Sequence, residues 1–144
     1  MKVLVAVDGS EHADQAIRWY LGQHQPDNEV VLVYVVEYPI SPGYTYGVGM
    51  ALPQTQWDAM VKNANEEALA TRERVQQLMA DVPHKYIRRY GQPGQTLCDV
   101  AKEENVDMVV VGTRGRGKIR RTLLGSVSDY VLHHSQVPVA ICRQ

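Results

Sequence analysis

Four short runs of almost uninterrupted apolar residues punctuate the chain: Lys2–Val7, Glu29–Val36, Asp107–Val111 and Val137–Cys142. They are rich in β-branched residues and show little polar alternation. Such runs predict strands buried on both faces, as in a parallel sheet. His84–Tyr90 reads as a further, more polar strand. Between the runs, apolar residues recur at helical spacing instead. Ala13, Ala16, Ile17, Tyr20 and Leu21 make one face, and Leu97, Val100 and Ala101 another. Trp57, Val61, Ala64, Ala68, Thr71, Val75 and Leu78 mark a long helix from about Thr55 to Ala80. Lys62, Glu66, Glu67, Arg72, Glu73 and Arg74 fall between them and are read as its solvated side. The four-and-three spacing hints at a coiled coil, but the stretch is too short, and packing on a sheet is the better reading. Val127, Tyr130, Val131 and Leu132 mark a last helix from Ser126 to about His134. Five strands alternating with four helices predict a doubly wound α/β domain with helices on both faces of a parallel sheet.

The breaks between these elements carry the candidate chemistry. Asp8-Gly9-Ser10 ends the first strand, and Ser10 is placed to cap the helix that follows. Asp8 therefore sits at the carboxyl end of a central strand, where open α/β sheets bind ligands; elsewhere it would be read as a turn residue. The segment Glu37–Pro53 is punctuated by Pro, Gly and Tyr too densely for regular structure. It reads as a flexible excursion, or as a cover over a ligand or partner chain.

After the fourth strand comes a loop rich in glycine and in cations: Arg114, Arg116, Lys118, Arg120 and Arg121. It closes at Gly125-Ser126, where a helix begins. A strand, a glycine loop and a helix N-terminus together make an anion cradle, because backbone N–H groups can approach the ligand. Charge runs are usually solvated surface; this one lies between a strand and a helix start, which favours phosphate. Ser126-x-x-Asp129 also resembles a capping box, so the Ser126 hydroxyl has two competing roles. Ser128 has a surface helix residue as its plain alternative. Gly112-x4-Gly117-Lys118 copies most of a Walker A loop, but Ile119 stands where a metal-binding hydroxyl belongs. Gly115-x-Gly117 begins a dinucleotide fingerprint, but Arg120 occupies its third glycine position.

Composition narrows the functional classes. A chain of 144 residues, 44% hydrophobic and 22% charged, suits one domain spanning 1–144. The net charge of −1 argues against nucleic-acid binding by the protein as a whole. No apolar run is long enough to span a bilayer, and no signal-peptide pattern opens the chain. Cys98 and Cys142 give no disulfide framework and read as free thiols in a reducing compartment, the cytoplasm. The histidines are scattered, and adjacent His133 and His134 point to different helix faces, which disfavours chelation; cations near a helix C-terminus account for the pair.

One spacing fits fully: Gly112-x2-Gly115-x9-Gly125-Ser126. With Val3-Leu4-Val5-Ala6-Val7-Asp8-Gly9-Ser10, Val106–Gly112 and Val137-Pro138-Val139-Ala140-Ile141, it makes the chain resemble the ATP-binding branch of the universal stress protein family over essentially its whole length. The resemblance implies strand order 3-2-1-4-5, with the site between strands one and four. It implies a bound ATP, or AMP or ADP, possible with Mg2+ or Mn2+. Asp8 resembles the ribose-binding aspartate, with Ala6 and Val7 lining the same crevice and Val35 at the backbone position that recognises adenine. Ala6 stands where some ATP-binding members carry proline. Val111, Gly112, Arg114 and Gly115 match the first half of the phosphate loop; Gly125, Ser126, Val127 and Ser128 match the second. The resemblance also implies a homodimer through Val137–Cys142, an apolar edge strand of the kind that pairs with another chain; a helix or loop covering that edge is the alternative. No nucleophile–base pair, zinc spacing or water-positioning residue is visible. The leading reading is thus a nucleotide-dependent stress-response module, with a slow ATPase or phosphotransferase, or a non-nucleotide interaction protein, as alternatives.

Overall fold

The computed structural model describes residues 1–37, 53–113 and 124–143. Most of the punctuated Glu37–Pro53 segment and the middle of the cationic loop, Arg114 and Gly115 included, lie outside these described residues. The elements run β1 (Lys2–Val7), α1 (Glu11–Gln23), β2 (Glu29–Val36), α2 (Gln54–Leu78), β3 (Lys85–Tyr90), α3 (Pro93–Glu103), β4 (Met108–Gly112), α4 (Ser126–His134) and β5 (Val139–Cys142). The five strands form one parallel sheet in the order β3-β2-β1-β4-β5.

Strand alternation divides the interior into two cores. Val3, Val5, Val30, Leu32 and Val110 point to one face, against Ala16, Ile17 and Tyr20 of α1 and Ala68 and Val75 of α2. Leu4, Val31, Val33, Val109 and Val111 point to the other, against Leu97, Val100 and Ala101 of α3 and Val131 of α4. This explains why the central strands are apolar at every position. Fully burying one such side chain contributes about 1.5–3 kcal/mol. An exposed ion pair contributes roughly 0–1 kcal/mol, so the two cores and not pairs such as Arg89–Glu103 hold the fold. Both cysteines are free thiols, and burial pushes each of them up from the ordinary thiol range.

Three expectations are corrected. The last strand begins at Val139, because Ser135 turns the chain first: its hydroxyl donates to Val137 O at 2.8 Å and accepts from Val137 N at 3.2 Å. The apolar stripe of α2 is buried only at Ala68, Thr71 and Val75, in its C-terminal half. Its polar side is not uniformly solvated either, since Arg72 lies over the Tyr86 ring. That ring's hydroxyl is pushed up to about 12, by burial first and then by Tyr34, against the opposing pull of Arg72 and Arg88.

α3 and α4 meet where Gly94 faces Tyr130. A Cβ on Gly94 would lie 2.8 Å from Cβ and two ring carbons of Tyr130. Gly94→Ala is therefore expected to cost about 1–3 kcal/mol through overpacking. Urea unfolding should show this loss, with part of it recovered in Gly94→Ala/Tyr130→Ala; unchanged stability in the single variant would mean that the helices part freely here.

Candidate functional site

β1 stands between β2 and β4, and the chain leaves it toward β2 on one side before returning to β4 on the other. At the carboxyl ends of these strands lies a cleft of about 560 Å3. Small-ligand sites typically measure about 300–1,000 Å3. Ala6, Val7 and Asp8 enter it from β1, Val35 from β2, and Val111 and Gly112 from β4. Gly125, Ser126, Val127 and Ser128 enter from the start of α4. Every described residue named from the sequence thus reaches one cleft. The sequence reading missed Val33, Tyr34, Val36 and Glu37 of the β2 end, Pro93 and Leu97 of α3, and Ala13, Ala64 and Glu67. α3 packs on the sheet face that carries Val31 and Val33, which brings its first turns to the cleft.

The Asp8 wall is shaped by a tight turn. Gly9 has φ +80°, a left-handed conformation that glycine adopts without a Cβ clash. Ser10 N donates to Asp8 Oδ1 at 2.8 Å, and Ser10 Oγ accepts from Ala13 N at 3.2 Å. The carboxylate is thereby held at the strand end, and α1 is capped as its sequence predicts.

The opposite wall is built differently. At Gly112 α1 lies tightly against β4: a Cβ there would sit 2.6 Å from the His12 carbonyl oxygen and 2.7 Å from its carbon. Its described environment therefore requires glycine for packing, beside any role in admitting a phosphate. Gly125 N donates to Thr113 O at 2.7 Å. Ser128 is buried, and its hydroxyl approaches both Thr113 O and Gly125 O at 3.0 Å, which pins the start of α4 to the end of β4. It is not the surface residue of the plain reading.

The capping-box expectation fails. Gly125 is the N-cap of α4, Ser126 is its first residue, and among the described residues no side chain caps this end. Asp129 Oδ1 instead lies 3.6 Å from His133 Nδ1. The first turn of α4 thus lines the cleft with no side-chain cap among the described residues. A helix start carries partial positive charge, which suits an anion. The walls between are apolar, with Ala6, Val33, Val35, Leu97 and Val127 from the described residues. Such a cleft fits a nucleotide by its chemistry: apolar walls for a base, a carboxylate for hydroxyls, a helix start for phosphate. Among the described residues, no group of three or more His, Cys, Asp or Glu is arranged to hold a metal ion.

Comparison with known proteins agrees with this architecture. The model of the universal stress protein family matches residues 1–143. Universal stress protein YxiE of Bacillus subtilis is 30% identical over 146 residues, covering 99% of this chain and 98% of its own. The solved structure of universal stress protein UspA from Lactobacillus plantarum superposes with TM-score 0.75 at 25% identity, covering 99% of this chain and 97% of that one. A family protein from Arabidopsis thaliana, solved with AMP bound, shares the fold with TM-score 0.70 at 21% identity, covering 100% of this chain and 92% of its own.

The packing of α1 on Gly112 yields a direct test. Gly112→Ala must push the first turn of α1 away from β4, and overpacking of this kind costs about 1–3 kcal/mol. A urea midpoint equal to that of the parent would show that the close approach to His12 is not needed.

Proposed function

The chain belongs to the universal stress protein family, and from that premise we propose that it is a member of the ATP-binding branch, a nucleotide-dependent stress-response module. The observation that carries this reading is the pairing, across one cleft, of the Asp8 carboxylate with the glycine-capped start of α4. AMP bound to the Arabidopsis relative supports it.

In this reading Asp8 accepts hydrogen bonds from ribose hydroxyls, the Val35 backbone meets the adenine edge, and Ala6 and Val7 line the base side. Val111, Gly112, Arg114 and Gly115 on one side, and Gly125, Ser126, Val127 and Ser128 on the other, surround the phosphates. A divalent ion, Mg2+ or Mn2+, could accompany the phosphates. Asp8 Oδ1 is already engaged by Ser10 N, which suits a holding role over that of a general base. The free thiols of Cys98 and Cys142 suit a reducing compartment such as the cytoplasm.

The subunit is proposed to work as a homodimer joined along β5. Among the described residues β5 pairs with β4 alone. Val139, Ala140 and Ile141 are each only half-buried within one chain, which leaves apolar surface and ladder groups for a partner. A two-fold axis makes such a contact self-complementary.

Several charge-assisted hydrogen bonds of about 1.5–3 kcal/mol each, less the cost of ordering the ligand, support roughly micromolar affinity for ATP, about −8 kcal/mol. Calorimetry should show this, and Gly115→Val should abolish it by blocking backbone approach. Absence of heat at millimolar ATP would remove the nucleotide reading. For the dimer, sedimentation of the parent at tens of micromolar should give two subunits, and Ala140→Asp should give one. A monomeric parent contradicts the dimer, and a dimeric Ala140→Asp moves the contact elsewhere.

A further inference from the structure

α2 is tied to the turn after β1 by one side chain. Arg74 Nη2 donates to Gly9 O at 2.8 Å and lies 3.1 Å from Asp14 Oδ2. The contacts bridge 65 and 60 positions of sequence. Arg74 is half-exposed, whereas the Asp14 side chain is 13% exposed, so the ion pair is anchored in the first turn of α1. Gly9 lies between Asp8 and Ser10 with φ +80°, and its carbonyl direction fixes the turn in which Ser10 N meets Asp8 Oδ1. Farther toward its N-terminus, α2 places Ala64 and Glu67 on the cleft. One helix therefore reaches both the cleft wall and the turn that aims Asp8.

We propose that Arg74 is a positioning residue for the nucleotide site: through Gly9 and Asp14 it fixes the turn that presents the Asp8 carboxylate to ribose. The assignment rests on the nucleotide reading of the cleft. Among the described residues, the hydrogen bonds of Arg74 reach the cleft only by way of this turn, which directs its effect to Asp8. A guanidinium suits the task, because its charge pairs with Asp14 while its N–H group reaches a carbonyl. Without it, Gly9, the residue of the turn with the greatest backbone freedom, loses the long-range bond that selects one conformation.

The test compares ATP with 2′,3′-dideoxy-ATP, which lacks both ribose hydroxyls, by calorimetry on the full chain. Arg74→Gln should weaken ATP binding about tenfold, the loss of one charge-assisted hydrogen bond. It should leave dideoxy-ATP binding equal to that of the parent. Asp8→Asn should abolish the effect, so that the double variant binds ATP no worse than Asp8→Asn alone. Equal losses for both ligands, an additive double variant, or unchanged ATP binding would each overturn the proposal. If the parent itself binds no ATP, the nucleotide reading falls, and the clamp is judged without ligand. Hydrogen exchange at the Ser10 amide should then quicken in Arg74→Gln while the β1 amides keep their parent rates; an unchanged Ser10 rate would show that Arg74 does not hold the turn.

Discussion

β1 pairs in parallel with β2 on one side and β4 on the other, and the remaining features follow from that double pairing. The first two helices cover one face of the sheet, and the last two cover the other. The chain therefore leaves β1 toward one face and β4 toward the other, and the cleft lies between these departures. In open α/β sheets this is where ligands bind. The cleft is a consequence of chain direction before any side chain is considered. The apolar strands stabilise the sheet on both faces, which leaves the strand ends to carry polar chemistry.

The two walls of the cleft are held by unlike means. On the β1 side, a left-handed glycine and a capping serine set the direction of Asp8. On the β4 side, Gly112 lets α1 approach the strand, and Ser128 pins the first turn of α4 to Thr113. α1 touches both sides, since Ser10 caps it and His12 lies against Gly112. A shift of α1 would thus move both walls. α4, in contrast, has glycine at its N-cap and no side-chain cap among the described residues. A helix start left open at a cleft is a favourable setting for negative charge.

Much of this was legible in the residues, for identifiable reasons. Lys2–Val7 and Glu29–Val36 were readable to the residue because burial on both faces removes polar alternation. Ser10 was readable as a cap because capping is local. The strand order came from the family resemblance, since apolar runs do not say which neighbours they choose. The Ser126–Asp129 pattern misled because Gly125 took the cap position, and four residues of sequence cannot show that. The start of β5 was misplaced because the Ser135 turn uses a side-chain bond that hydrophobic periodicity ignores. Arg74 read as solvated because its partners, Gly9 and Asp14, are distant in sequence. Glu67 read as solvated likewise, as the path of α2 past the cleft is a tertiary fact.

The central claim is that one ligand contacts both walls of the cleft at once. An amide chemical-shift titration with ATP tests it most directly. The account predicts that the amides of Asp8, Gly112, Gly125 and Ser126 shift together and saturate along a single curve. Saturating shifts confined to one wall, or lying outside the cleft altogether, would contradict it.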